Sequence, residues 1–437
     1  MKSKPDTSSS APAVVSFFSV IAVGVTAVVI ALLTLVYPES LQHFVSTFAS
    51  VENKPNVVNC TAAEQYLTDV LPVKGFHILC VQKRIDNKLD ITAFKDGNAP
   101  SLQNQTSFEH LQTHLEVLLD IQMPDDEVAR KYKQPYALFT PEGKRLKRLD
   151  DVVNNVVFLF EGGQFIWPGI RIGHKTLVKD VTGKGDVVVE TLSMIPLVFS
   201  VEEFLKDDEI DIIMNLSLDH LKPSTVALLD GHENRAATDW RTSTTYFLSS
   251  NKHPRLGEID QRVADLTKVP IEHQEDVQVL RYEKTQKYDH HTDYFPAELH
   301  KNSPDVLKSI DYGYRNRMIT VFWYMSDVAK GGQTIFPRFG GAPRPQTMKD
   351  CTKGLKVPPK KRNVIVFYSL LPNGDADPMS LHGEVVSKTT TKGCNGVSKG
   401  IYHINQLARS SLHRYSRSCY KISQFSLPMF LFFSTKN

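Results

Sequence analysis

Gln278-Val-Leu-Arg-Tyr282-Glu-Lys-Thr-Gln-Lys-Tyr288-Asp-His-His291-Thr-Asp293-Tyr-Phe295 decides how the rest of this 437-residue chain is read. His291 and Asp293 stand two apart, so on an extended chain their side chains fall on one side. His382, in Ser380-Leu381-His382-Gly383, follows 89 residues after Asp293. Two imidazoles and one carboxylate leave three positions of a metal open, a facial arrangement that suits non-haem iron(II) holding further ligands. In a chain with 15 histidines, a His-x-Asp triplet also describes a solvated surface pair. The surrounding sequence separates the two readings.

Strand-like runs accompany the triplet: Val277 to Tyr282, Met318 to Met325 and Val364 to Tyr368. Two helix patterns come before them. Asp207-Asp208-Glu209 puts acids at the positive end of a helix whose apolar Ile210, Ile213, Met214 and Leu218 follow the 3.6 period. Ile259, Val263 and Leu266 repeat at i, i+4 and i+7 ahead of Pro270. Helices followed by strands predict an α+β unit, a β-sandwich or jelly roll with helices packed on one side.

The quoted stretch resembles the first metal strand of the prolyl 4-hydroxylases. The likeness continues in order through Arg317-Met-Ile-Thr-Val-Phe-Trp-Tyr324-Met-Ser-Asp327, Gly331-Gly332-Gln333-Thr334-Ile335-Phe336-Pro337 and Lys356-Val-Pro-Pro-Lys360-Lys361. Val366-Phe-Tyr-Ser-Leu-Leu-Pro-Asn-Gly374, Asp377 and Ser380-Leu381-His382-Gly383 complete it. Upstream, Pro196-Leu-Val-Phe199, Phe204-Leu205 and Trp240-Arg241-Thr242-Ser243 look like the start of the same domain, so the resemblance covers residues 191–383. It implies a double-stranded β-helix (jelly-roll) catalytic domain with flanking helices. His291, Asp293 and His382 would ligate Fe(II), with 2-oxoglutarate as cosubstrate and ascorbate as reductant, and a peptidyl proline would become 4-hydroxyproline. In that family a lysine ten residues beyond the distal histidine binds the far carboxylate of 2-oxoglutarate, and here that position is Lys392. A lysine suits the task because an ammonium gives charge-assisted hydrogen bonds to a carboxylate. Tyr282 looks like the tyrosine whose hydroxyl helps hold the cosubstrate, and core packing is the other role open to it.

The likeness stops after Gly383. Glu384-Val-Val-Ser-Lys388-Thr-Thr-Thr-Lys392-Gly-Cys-Asn-Gly-Val397 lacks the tryptophan of the family's Gly-x-Lys-Trp pattern, and Lys388 and Lys399 stand close to Lys392. Eight Lys/Arg against one acid make residues 384–437 a divergent basic tail, in a chain whose net charge is only +3. That net charge gives no support to a nucleic-acid binder built on bulk charge. If the tail replaces the family's terminal strand, activity is weakened or lost. The run from Leu427 to Phe433 is too short to cross a membrane.

No charged residue lies between Thr7 and Pro38, and Val14 to Tyr37 is nearly all apolar. As a helix that span covers about 36 Å, enough for a bilayer. Lys2 and Lys4 precede it and no Lys or Arg follows closely, which predicts a cytosolic segment 1–13, a single-pass anchor 14–37 and a stem 38–60. The remainder would face the lumen of the endoplasmic reticulum or Golgi. The sequons at Asn59, Asn104 and Asn215 accord with this, and an oxidising lumen permits Cys60 to pair with Cys80. Residues 61–185 read as a small α/β domain with some likeness to a β-grasp module of the doublecortin type, serving as a spacer or docking a partner. Two other functions remain open: the same oxygenase chemistry on another side chain or a free amino acid, and an inactive lumenal scaffold. A lysine-bearing strand after Gly383 favours the enzyme.

Overall fold

The computed structural model describes residues 61–67, 73–86, 88–94, 101–122, 135–152, 155–232, 234–283, 285–328, 331–385 and 401–411. All of them lie in one compact unit, Asn59–Asn437. Among the described residues no helix is long and apolar enough to cross a membrane. The expected anchor 14–37, Asn59, Cys60 and Lys392 lie outside the described residues.

Five strands come first: Phe76–Lys83 (β1), Leu89–Phe94 (β2), Ser101–Gln105 (β3), Ala137–Phe139 (β4) and Val156–Phe160 (β5). They form one sheet in the order β3-β2-β1-β5-β4, with every pair antiparallel. The helix Phe108–Leu119 (α1) starts where the Ser107 side chain accepts from the His110 N–H, and it ends at Asp120 in the left-handed conformation. Leu111, Leu115 and Leu119 fall on one helix face and share an apolar core with Leu79, Val157 and Leu159 of the sheet. On the other face Phe158 and Phe160 meet Phe76, Phe139 and Phe165. Both faces of β5 are covered, which is why its sequence is apolar without alternation. The β-grasp expectation is corrected here. Such a sheet pairs its first and last strands in parallel, whereas β1 and β5 run antiparallel from Phe76↔Phe160 to Cys80↔Val156. Apolar runs show that strands exist but not which way they pair.

Thirteen strands follow: Lys175–Val181 (β6), Gly185–Met194 (β7), Leu197–Val201 (β8), Lys222–Pro223 (β9), Thr244–Leu248 (β10), Val277–Tyr282 (β11), Lys287–His291 (β12), Arg315–Tyr324 (β13), Thr334–Phe336 (β14), Leu355–Val357 (β15), Val364–Tyr368 (β16), His382–Val385 (β17) and Ile401–Ser411 (β18). Nine build a long sheet, β6-β7-β8-β16-β13-β18-β11-β10-β9, and four build a short one, β12-β17-β14-β15. From β11 onward the chain passes back and forth between the two sheets, as the winding of a jelly roll requires. Leu280, Tyr282, Phe322, Tyr324, Ile365 and Phe367 from the long sheet enclose a core with Phe336 and Val357 from the short one.

Helices Asp207–Ser217 (α2) and Pro254–Thr267 (α3) lie against the long sheet, α2 at β10 and α3 at β6. They are tied by Arg262, whose guanidinium donates to both carboxylate oxygens of Glu209 at 2.8 and 2.6 Å with both side chains fully buried. Burial alone would raise the Glu209 carboxyl. The Arg262 hydrogen bonds and the Lys206 N–H outweigh it and hold the group below its ordinary range.

Two boundaries differ from the sequence expectation. Strands β6 and β7, within or beside the segment assigned to the small domain 61–185, are hydrogen-bonded into the long sheet ahead of residue 191. Strand β18 falls inside the tail 384–437, yet it occupies the gap between β11 and β13. The sequon at Asn215 sits in the last turn of α2, with Ser217 fully buried.

Candidate metal centre

Strands β12 and β17 pair antiparallel, and His291 lies directly opposite His382. Asp293 follows two residues after the end of β12. His291, Asp293 and His382 each offer a ligand atom, and those atoms lie within 4.8 Å of one another. The His291 Nε2 is 3.7 Å from Asp293 Oδ1, and the His382 Nε2 is 3.6 Å from Asp293 Oδ2. On the far side of each ring, Nδ1 is hydrogen-bonded to a backbone carbonyl, Asp289 O at 2.9 Å for His291 and Ser380 O at 3.0 Å for His382. Those contacts select the tautomer that leaves Nε2 free to ligate. Thr320 Oγ1 donates to Asp293 Oδ2 and fixes the carboxylate.

The electrostatics agree with a metal site. Burial, then the neighbouring His382, hold the His291 imidazole well below its ordinary range, so it stays neutral and available. Burial would raise the Asp293 carboxyl, but His382, His291, Arg317 and the Thr320 hydroxyl prevail and lower it. The group is therefore an anion. Two imidazoles, one carboxylate and an apolar wall fit a hard-to-borderline divalent ion such as Fe(II). Phe367 and Phe336 supply that wall, with ring centroids 4.6 and 5.8 Å from His382.

His290, next to His291, does not join the cluster. Its ring is buried, neither ring nitrogen has a hydrogen-bond partner among the described residues, and burial followed by His382 brings it to about 4. Gly383 faces it. A Cβ at Gly383 would sit 2.7 Å from His290 Cδ2 and 2.9 Å from Tyr288 O, so this close approach requires glycine.

A second row of side chains crosses the short sheet beside the first. Arg241 bridges Tyr288, Tyr288 pairs with Glu384, and Glu384 pairs with Thr334. Arg241 lies over the Tyr288 ring at 4.3 Å, and that ring stacks on His291 at 3.6 Å. The Tyr282 hydroxyl, fully within the core, donates to Glu384 Oε2 at 3.3 Å. Tyr324 and Thr334 hydroxyls are 2.9 Å apart. Of the residues expected from sequence, the structure brings together His291, Asp293 and His382 and places Tyr282 in the adjoining row. Glu384 and Thr320 were not anticipated. The signal for Glu384 was its position two residues after His382, which on a strand means the same face.

The 2OG-Fe(II) oxygenase superfamily model matches residues 277–393. Prolyl 4-hydroxylase 2 of Arabidopsis thaliana is 38% identical over 202 residues, covering 45% of this chain and 64% of that protein. Probable prolyl 4-hydroxylase 10 of the same plant is 35% identical over 224 residues, covering 48% of this chain and 72% of its own length. Prolyl 4-hydroxylase 5 is 32% identical over 234 residues, covering 52% and 75%. The chain belongs to the prolyl 4-hydroxylase family of 2OG-Fe(II) oxygenases. The matched part spans 64% of the length of the first of these relatives.

Proposed function

We propose that the protein hydroxylates peptidyl proline to 4-hydroxyproline with Fe(II) and 2-oxoglutarate, and that it does so in the lumen of the endoplasmic reticulum or Golgi behind the anchor 14–37. The observation that carries the reading is the convergence of half-buried His291 with buried Asp293 and His382 within a jelly-roll core. Iron(II) in that site supplies the oxygen chemistry, with 2-oxoglutarate decarboxylated to succinate and ascorbate keeping the iron ferrous. The chain's own residues supply the rest. Asp289 O and Ser380 O fix the imidazoles, Thr320 fixes the carboxylate, and Phe336 and Phe367 keep water from the metal. Tyr282, with Tyr324 and Thr334 beside it, offers hydroxyls toward the cosubstrate.

Strand β18 carries no lysine, and what supports the enzyme over an inactive scaffold is that it closes the long sheet beside Tyr282, with Ile401 opposite that residue. Lys392, proposed for the far carboxylate, lies outside the described residues. The disulfide-bonded states of Cys80 and Cys351 fit an oxidising lumen. Protease treatment of sealed microsomes checks the topology: residues 61–411 stay protected until detergent is added, and digestion without detergent contradicts a lumenal site. Succinate release with and without a proline-rich peptide tests the activity. Release that depends on the peptide supports the reading, and release that a free amino acid stimulates instead moves the substrate class.

A further inference from the structure

The end of the first sheet where β1 begins and β5 stops is seated on a turn of the metal-bearing fold. Glu161 N–H donates to Gly75 O at 2.9 Å, so the segments before β1 and after β5 make one surface. Against it lies the turn Leu371–Asp375, on the connection from β16 to β17, closed by Gly374 N–H to Leu371 O and Leu371 N–H to Asp375 O. Gly162 N–H donates to Pro372 O at 2.8 Å. The two surfaces meet backbone to backbone. A Cβ at Gly75 would sit 2.5 Å from Asn373 N, and one at Gly162 would sit 2.5 Å from Gly374 N, so both approaches require glycine. Lys74 reaches Asp375 at 2.8 Å, but the side chains are 70% and 60% exposed, so that pair adds little.

His382 stands seven residues beyond Asp375, and hydrogen bonds link the turn to its ring. Leu370 bridges Ala376 at the base of the turn, and Asp377 N–H donates to Ser369 O at 2.8 Å. Ser380 Oγ donates to Asp377 O at 2.7 Å, and Ser380 O holds His382 Nδ1 at 3.0 Å. The carbonyl that orients the ligand is therefore carried on a connection whose far end is clamped by the first sheet. The matched oxygenase segment begins only at residue 277, so this clamp comes from outside it. Resting on the metal-site reading above, we infer that the first sheet is a brace for the metal centre. Gly75 and Gly162 are positioning residues: they fix the turn Leu371–Asp375, and through it the Ser380 carbonyl that sets the His382 ring.

Anaerobic Co(II) titration of the full chain tests this, with the visible absorption bands of bound Co(II) reporting ligand geometry. Gly162→Leu forces the turn away, lowers Co(II) affinity by about tenfold, the cost of losing an outer contact to a ligand, and alters the bands. Gly162→Ala changes both in the same direction by less and serves where the leucine variant does not fold. Leu115→Ala is the comparison, because that side chain is fully buried between α1 and the first sheet and belongs to the core on the α1 side. It lowers the urea midpoint through the cavity it leaves, yet keeps Co(II) affinity within about twofold and the bands unchanged. Wild-type affinity and bands in both Gly162 variants, or the same losses in Leu115→Ala as in Gly162→Leu, overturn the inference. Failure of the wild-type chain to bind Co(II) instead removes the metal-site reading itself, and this inference with it.

Discussion

His291 and His382 are register partners on neighbouring antiparallel strands, with ring centroids 4.5 Å apart. A sheet ladder, and not a pair of loops, sets their separation. The two imidazoles of the metal site are thus placed by the sheet framework itself.

Replacing His291, Asp293 or His382 with alanine lowers Fe(II) or Co(II) affinity by at least about 100-fold, more than the loss of an outer contact costs. His290→Ala is the comparison, because that ring lies outside the cluster. Anaerobic metal titration reads both. Equal losses from all four substitutions contradict the assignment.

Gly383→Val drives a side chain into His290 and Tyr288 O. Overpacking of this kind costs roughly 1–3 kcal/mol, and the backbone that must shift carries His382. Thermal unfolding and metal titration on the same sample should both fall. A variant with unchanged melting and unchanged metal affinity means that the contact is not tight.

Arg262→Met leaves Glu209 buried without its counter-charge, a change that costs about 3–5 kcal/mol. The folded Glu209 carboxyl is held below its ordinary value of 4.5, so its contribution is complete above that range and is lost as pH falls through the folded value. Urea unfolding between about pH 7 and about pH 3 should show an acid slope that becomes shallower in a Glu209→Leu/Arg262→Met variant. An unchanged slope means that other carboxylates govern acid stability.

Ending the chain at residue 400 removes β18 and leaves β11 and β13 with unpaired edges in the middle of the long sheet. The ladder that disappears runs from Arg315↔Ser411 to Tyr324↔His403 on one side alone. Insolubility, or the loss of cooperative unfolding, is the expected result. A soluble truncated chain with the same urea midpoint shows that β18 is dispensable.

The triad was legible because its chemistry is local: two positions on one strand face, and a third in a short motif that forms the neighbouring strand. Helices α2 and α3 were legible from the 3.6 period, and β11, β13 and β16 from dense apolar runs. Three features were not. Pairing direction in the first sheet depends on where β5 docks, which Val156 to Phe160 does not encode. Strand β18 contains Asn405, Gln406 and Arg409, too polar to announce a central strand, and only its register between Val279 and Trp323 reveals one. Glu384 looked like the first residue of a foreign tail because an acid in a core contradicts composition. It becomes intelligible once Tyr282 is seen to donate to it.

The most direct test of the account is mass-spectrometric detection of 4-hydroxyproline in a proline-rich peptide incubated with the full chain, Fe(II), 2-oxoglutarate, ascorbate and oxygen. The account predicts hydroxyproline and succinate in equal amounts from the wild-type chain and neither above background from Asp293→Ala. Hydroxyproline formed at the same rate by Asp293→Ala, or none formed by wild-type protein shown to hold iron, would contradict it.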